Sequence, residues 1–441
     1  MKDDNENRLN YLKYLFEFPK EFNINKDNIN YIYFKIPKWC CTYTPNAMFD
    51  NIKPFGWNQM KKKLNESNNN FISDIEDYPE KTMNIKLDDY EQNELILNYI
   101  KCRPNIKILT QFSNKKLDFK NCNLYATKEI ELSNNAIEVL IYEMFCLTPK
   151  FKEYKKIKDY VKLLKNNKIK IYVYEEIEDK KIDHNIDMTC DFISPDFITT
   201  INIAELYFNK NSLNHMNEML LERFLDKDFN RTRILLNTFK KMLLVRKVTL
   251  LEQTKFMLLS GSVLATYGIR KSKDIDAWIS NDPESVDDSV LSKTQDLLLK
   301  ETEKLFFLDI YHPKVNWQDY WKEHHKEWAS KFGANNMLDC IHNPRFHYYF
   351  CGIKFLILDA DIEKRQLRGR PASVTDLIMI NRLLNKNIKL NPINIIGNKH
   401  GGTNEVYNIN PIKFIKTVHF WLKKKYNTKI SKKEEASIIF I

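Results

Sequence analysis

Leu258-Leu259-Ser260-Gly261-Ser262, followed after eleven residues by Asp274-Ile275-Asp276, decides how this chain is read. The run Lys255 to Ser260 is apolar and short enough to be a buried strand. Ser262 to Gly268 then reads as a short helix, with Ser262 placed to cap its start and Gly268 to end it. A glycine at 261 lets backbone approach a phosphate closely, and the unpaired N–H groups of a helix start favour an anion. The second half, Asp274-Ile-Asp-Ala-Trp-Ile279, predicts a strand in which residues two apart share a face. Asp274 and Asp276 then point the same way, and two such carboxylates repel unless a hard cation sits between them. Asp-X-Asp is also common in solvated loops. Here its position after Gly-Ser and a short helix, among apolar residues, favours a metal role.

The pattern of an apolar residue, Gly-Ser, about a dozen residues and then Asp-apolar-Asp-apolar resembles the signature of the nucleotidyltransferase-fold superfamily, related to DNA polymerase beta. The resemblance spans roughly residues 240 to 390. The serine that members often place directly before the first aspartate stands one position earlier here, in Ser272-Lys273-Asp274. The resemblance implies a third acidic residue on a later strand, and Asp359, at the end of the run Gly352 to Leu358, is the expected position, with Asp361 as the alternative. Read locally, Asp359 could instead cap a helix over Ala360 to Leu367. Phe346 to Phe350 and Ile353 to Leu358 read as two strands joined by a tight turn.

Positive charge flanks the proposed site. Lys364, Arg365, Arg368 and Arg370 follow Asp359, and Arg270, Lys271 and Lys273 precede the Asp pair. Charge runs are usually solvated faces. These flank both halves of the motif, so Arg270, Lys273, Arg365, Arg368 and Arg370 are the expected triphosphate-binding residues, with Gly261 and Ser262. Ser373-Val-Thr-Asp376 reads as a capping box that opens a supporting helix, Val374 to Leu384. Cys340, His342, His347 and Cys351 fall close together, but without a paired Cys-x-x-Cys, and with Pro344 interrupting, zinc is disfavoured. His324 and His325, on a helix from Trp317 to Lys331, are expected at its surface.

The 441 residues carry a net charge of +11, and 43% are hydrophobic, enough for two or three domains with ample core. Heavy use of Lys, Asn and Ile is what an AT-rich coding genome would produce, so part of the charge need not reflect an anionic partner, although a basic chain is compatible with nucleic acid or nucleotide ligands. Eight unevenly spaced cysteines do not read as a disulfide framework and favour a reducing compartment. With no apolar signal core after Met1 and no run near the ~20 apolar residues of a membrane span, the expectation is a cytoplasmic protein that does not engage a membrane.

Residues 1–210 read as an N-terminal α/β accessory domain, with strands at Tyr31 to Ile36, Ile106 to Gln111, Glu129 to Leu132 and Lys168 to Tyr174, and helix over Asn135 to Asn166 broken near Pro149. Leu64 to Asn70 reads as loop, and Tyr31 to Phe34 and Trp39 as sheet core rather than a base-stacking surface. Residues 211–390, which open with helix over 214–250, form the catalytic domain, and 391–441 a helical extension with one strong helix, Ile412 to Tyr426. The expected fold class is thus α/β (α+β), a nucleotidyltransferase-like mixed sheet with helices. The resemblance implies transfer of a nucleoside monophosphate from a nucleoside triphosphate to a hydroxyl on a nucleic acid, protein or small molecule. Mg²⁺ or Mn²⁺ would be held by Asp274, Asp276 and Asp359. A glycosyltransferase that grips a sugar nucleotide through Asp-X-Asp, and a non-catalytic nucleic-acid-binding or scaffold protein, are the competing readings.

Overall fold

The computed structural model describes residues 31–37, 80–86, 89–101, 105–113, 122–145, 154–162, 167–176, 191–245, 256–272, 275–279, 308–311, 325–332, 340–341, 344–388 and 411–438, with single residues 117, 119, 164, 334 and 390. The architecture is mixed α/β, in two units: Met1–Asn217 with His342–Pro344 and Tyr348–Gly352, and Glu218–Ile341 with Arg345–His347 and Ile353–Ile441. Among the described residues no helix is long and apolar enough to cross a membrane.

The first unit opens with β1 (Tyr31–Pro37) antiparallel to β2 (Glu80–Lys86). It continues through α1 (Asp89–Lys101), β3 (Ile106–Gln111), β4 (Cys122–Glu131), α2 (Asn134–Phe145), α3 (Tyr154–Val161), β5 (Lys168–Glu176), β6 (Phe192–Ile193), α4 (Phe197–Tyr207) and α5 (Lys210–Glu218). The order β4-β5-β3-β6 is antiparallel throughout. β5 pairs on both sides, and its alternating Ile169, Ile171 and Val173 are buried. The expected strands at 31, 106 and 168 are present. That at Glu129 is the end of the longer β4, and the long helix is two, α2 and α3. Leu64 to Asn70, Trp39 and Pro149 lie outside the described residues, as do the side chains of Tyr31 to Phe34.

The second unit holds α6 (Leu221–Leu225), α7 (Asn230–Val245), β7 (Phe256–Leu259), α8 (Gly261–Thr266), β8 (Ile275–Ile279), β9 (Leu308–Tyr311) and α9 (Lys326–Ser330); β10 (His347–Phe350) and β11 (Ile353–Leu356) then form a hairpin of which Tyr348–Gly352 is counted with the first unit. Helices α10 (Leu358–Arg368), α11 (Pro371–Leu384), α12 (Pro411–Tyr426) and α13 (Lys432–Ser437) complete the chain. Cys351 and Gly352, at φ 52° and 68°, close the hairpin with two positive-φ residues, as a type I′ turn requires. Strands β11-β7-β8-β9 lie in that order. The sheet is mixed: β11 is parallel to β7, β7 antiparallel to β8, and β8 parallel to β9. Its core is Met257, Leu258, Leu259, Val263, Leu264, Ala277, Trp278 and Phe355, all buried.

Several local expectations are corrected. His325 is buried beside Trp278 and Trp328, accepting the Trp328 indole N–H on Nδ1 at 3.2 Å, because two large rings there exclude water from the imidazole; His324 lies outside the described residues. α11 begins at Pro371, not at a Ser373 capping box, because proline presets the first helical turn and Asp376 is drawn into a cluster of cations instead. β11 ends at Leu356, so Asp359 neither ends a strand nor caps a helix; it sits inside the first turn of α10. The expected helix over 214–250 is α5, α6 and α7, interrupted at Met219-Leu220 and again at Asp226, and 246–250 lie outside the described residues. α12 agrees with its sequence reading to within one residue.

Candidate functional site

The strand β7 ends at Leu259, directly opposite Asp276 on β8. The chain reverses at Ser260, whose φ 52° and ψ −112° lie where only glycine rests easily, at a cost of about 1–3 kcal/mol. That reversal drives the backbone from a sheet strand straight into α8. Ser260 precedes the helix without a side-chain cap bond, and the helix starts at Gly261, so Ser262 is not the cap that the sequence suggests. Ser262 is instead buried, 1% exposed, and its Oγ has no hydrogen-bond partner among the described residues. An orphaned buried hydroxyl costs about 1–3 kcal/mol, so a ligand that meets it would recover that loss.

Lys364 approaches the same turn from α10. Its Nζ donates to Ser260 Oγ at 3.0 Å, and its side chain is buried. Burial, aided by the nearby Arg368 charge, pushes the amine down to about 7, against the pull of Asp361 and Asp276. Lys364 is therefore near enough to Asp276 to feel its charge. The half-buried Asp276 is flanked on its strand by Ile275, Ala277 and Trp278, each almost wholly buried.

On the other side of β8, the parallel register sets Asp309 of β9 opposite Asp276. Registered positions on neighbouring strands fall on one face of the sheet, about 4.8 Å apart. The sequence reading missed Asp309. Its signal was the apolar run Leu305 to Tyr311 broken only by that aspartate, a short copy of the Ile275 to Trp278 pattern.

Gly261 stands in a tight place. A Cβ there would lie 3.0 Å from Ser272 Oγ and 3.6 Å from the two terminal nitrogens of Arg270, so the guanidinium rests against bare backbone. The loop carrying Arg270 is pinned by Thr232 of α7, whose Oγ1 accepts the Ser272 N–H at 3.1 Å. Arg270 Nε lies 3.2 Å from Asp376 Oδ1, an ion pair without the alignment of a hydrogen bond. Asp376, 1% exposed, also takes the Arg365 guanidinium on Oδ2, Lys425 Nζ at 3.4 Å and the Tyr426 hydroxyl at 2.7 Å. Burial works to raise its pKa, but Arg270, Arg365, Lys425 and the Tyr426 hydroxyl together hold the carboxyl down to about 2.

The remaining expected residues separate into groups. Asp274 and Lys273 lie outside the described residues. Asp359 is two-thirds exposed with Lys386 Nζ 3.9 Å away, while Asp361 is buried and accepts from Arg365 Nε at 2.7 Å. Arg365 is thus held between two carboxylates, which raise its pKa against the opposing effect of burial. Arg368 closes α10, and Arg370, half-buried, precedes α11 with a buried Nε that has no hydrogen-bond partner among the described residues. Ser260, Gly261, Ser262, Arg270, Lys364 and Asp276 are therefore the residues that cluster. Cys340, His347 and Cys351 are buried, and among the described residues no group of three or more His, Cys, Asp or Glu could hold a metal ion. Asp274 and the Asp309 side chain are not among those described residues. Comparison with protein-family models, curated proteins and solved structures gave no match.

Proposed function

We propose that the chain transfers a nucleoside monophosphate from a nucleoside triphosphate to a hydroxyl acceptor, with Asp274, Asp276 and Asp309 as its acidic positions. The observation that carries this reading is the place of Asp276, opposite the end of the turn-bearing strand on one side and opposite Asp309 on the other. Asp309 replaces Asp359 as the third acidic position. A registered neighbour can share a cation with Asp276, whereas Asp359 stands in the first turn of a helix, beside Lys386. Carboxylate oxygens suit a hard cation, and Mg²⁺ or Mn²⁺ bound there would neutralise triphosphate charge and align the displacement.

The chain's own groups supply the rest. Gly261 leaves the backbone bare for a phosphate, Arg270 lies beside it, and Lys364 backs the turn through Ser260. Ser262 has a buried hydroxyl to donate. In the reaction the acceptor hydroxyl loses its proton to water and its oxygen bonds to the α-phosphorus as the bond from that phosphorus to the bridging oxygen breaks, and pyrophosphate departs.

The test incubates purified protein with α-labelled nucleoside triphosphates and, separately, labelled sugar nucleotides, with Mg²⁺ or Mn²⁺. Asp276→Asn and Asp309→Asn should each lower nucleotide transfer by about 10²-fold or more with the melting temperature unchanged, while Asp359→Asn stays within about twofold. Wild-type turnover in Asp276→Asn would sink the assignment. Transfer of sugar instead of nucleotide would install the glycosyltransferase reading, and no transfer of either would favour a binding protein.

A further inference from the structure

We infer that α12 is a binding platform for single-stranded nucleic acid, on which exposed Phe420 stacks a base while Lys416, Lys423 and Lys424 hold the backbone. The helix has two faces. Phe414, Val418 and Leu422, four residues apart, are buried in the unit's core. On the opposite side Ile412 is 64% and Phe420 56% exposed, and Lys416, Lys423 and Lys424 are exposed as well. Positions 412, 416, 420 and 424 form one ridge about 18 Å long, from 1.5 Å of rise per residue. The sixteen-residue helix Pro-Ile-Lys-Phe-Ile-Lys-Thr-Val-His-Phe-Trp-Leu-Lys-Lys-Lys-Tyr contains no Asp or Glu. Lys429, Lys432 and Lys433 are exposed just beyond it. In α13 the carboxylate of Glu434 is already engaged by Arg382 and Ser431, and Glu435 is half-buried.

The chemistry of this ridge selects its occupant. Lysines interleaved with an exposed aromatic match a partner that alternates anionic backbone with flat rings, and stacking on such a ring is tolerant of base identity. Phe420 lies 5.5 Å from Trp421, centroid to centroid, at a steep angle, and the Lys424 amine sits 5.4 Å and 5.3 Å from the two ring centroids. The cation is thus held at the ring faces, where it can meet the phosphate next to a stacked base. A duplex keeps its bases stacked on each other and offers none to Phe420. A membrane-surface helix would present its main apolar face outward, but that face of α12 is consumed by the core.

The ridge also leads to the candidate site. The last turn of α12 sends Lys425 and the Tyr426 hydroxyl to Asp376, which pairs with the Arg270 that lies against Gly261. That the bound strand is the hydroxyl acceptor rests on the nucleotidyl-transfer reading. The binding itself does not.

The experiment measures fluorescence anisotropy of labelled single-stranded oligonucleotides, RNA and DNA, with the full chain and with neither nucleotide nor metal. Binding is expected at about 50 mM salt and should weaken steeply by about 200 mM. Phe420→Ala should weaken it roughly tenfold, the loss of one stacked base. The double change Lys423→Ala with Lys424→Ala should lower the salt slope by about 1.4, the share of two phosphates on a single strand. Circular dichroism should show all three proteins equally folded, since the altered side chains are exposed. Since neither nucleotide nor metal is present, the binding is read independently of transfer, so a failure of the catalytic reading leaves this result standing. No binding at low salt, or Phe420→Ala and the lysine pair both binding like wild type, overturns the platform. Capture by anionic phosphatidylserine vesicles that oligonucleotide does not displace would replace it with a membrane surface.

Discussion

Lys364 shows how one residue can carry both strain and chemistry. Its amine is depressed to about 7 from 10.5, so between those values the unfolded chain holds a proton that the folded chain does not. Stability contributed at this site is therefore lowest below pH 7 and rises as pH climbs through that window. Lys364→Met should flatten the rise, read as urea midpoints from pH 7 to 10; identical slopes in both proteins would mean that the buried amine does not titrate there. Gly268 gives a purely steric case. At φ 71°, a Cβ would stand 2.6 Å from the Leu220 carbonyl oxygen, and Arg223 Nε donates to the Gly268 carbonyl at 2.9 Å. Gly268→Ala should cost more than the ~1–3 kcal/mol of left-handed strain alone, measured by chemical denaturation, and a loss below 1 kcal/mol would contradict the contact. Glycine 261 and Asp276 were legible in the sequence because the turn and the strand are local. Asp309 was not, since its partnership with Asp276 is a matter of strand register, which no spacing along the chain reveals.

At the scale of elements, α10, α11 and α12 meet on the single carboxylate of Asp376. Its folded value of about 2 lies below the ordinary 3.8, so the stability it contributes is complete above that ordinary value and is lost as pH falls toward 2. Asp376→Ala leaves Arg270 and Arg365 without their shared partner, and a loss of about 3–5 kcal/mol is expected, with the acid limb of the stability curve shallower than in wild type. An unchanged acid limb in the variant would show that the cluster is not the acid-sensitive element. α12 could be placed from sequence because its apolar positions repeat at helical spacing and its last turn is basic. The start of α11 could not, because the Ser373 to Asp376 pattern imitates a capping box while Asp376 is spent on cations that arrive from three other segments. β2 escaped notice for a related reason. Glu80-Lys-Thr-Met-Asn-Ile-Lys86 has little apolar alternation of its own, and its pairing with β1 is what makes it a strand.

For the whole molecule, the decisive feature is that the first unit is not continuous in sequence. It is completed by His342–Pro344 and Tyr348–Gly352. Within it, Ser212 Oγ accepts the Tyr349 N–H at 2.8 Å, the Glu143 carboxylate accepts the Cys351 N–H at 2.7 Å, and Asn211 donates to the Pro344 carbonyl at 2.7 Å. A fragment 218–441 therefore carries a hairpin tip whose backbone partners are gone. It should melt well below the full chain and aggregate, and a fragment that melts at the full-chain temperature would show those bonds to be dispensable. The same interleaving bears on birth at the ribosome. Asn217 leaves the peptidyl-transferase centre long before Gly352, and at about 5–20 residues per second the gap lasts on the order of 10 s. During that interval Ser212 and Glu143 of the nascent N-terminal half lack the Tyr349 and Cys351 N–H groups that they accept in the folded chain. The first unit therefore completes its contacts only after Gly352 has been made, which gives holding chaperones a window in which to act.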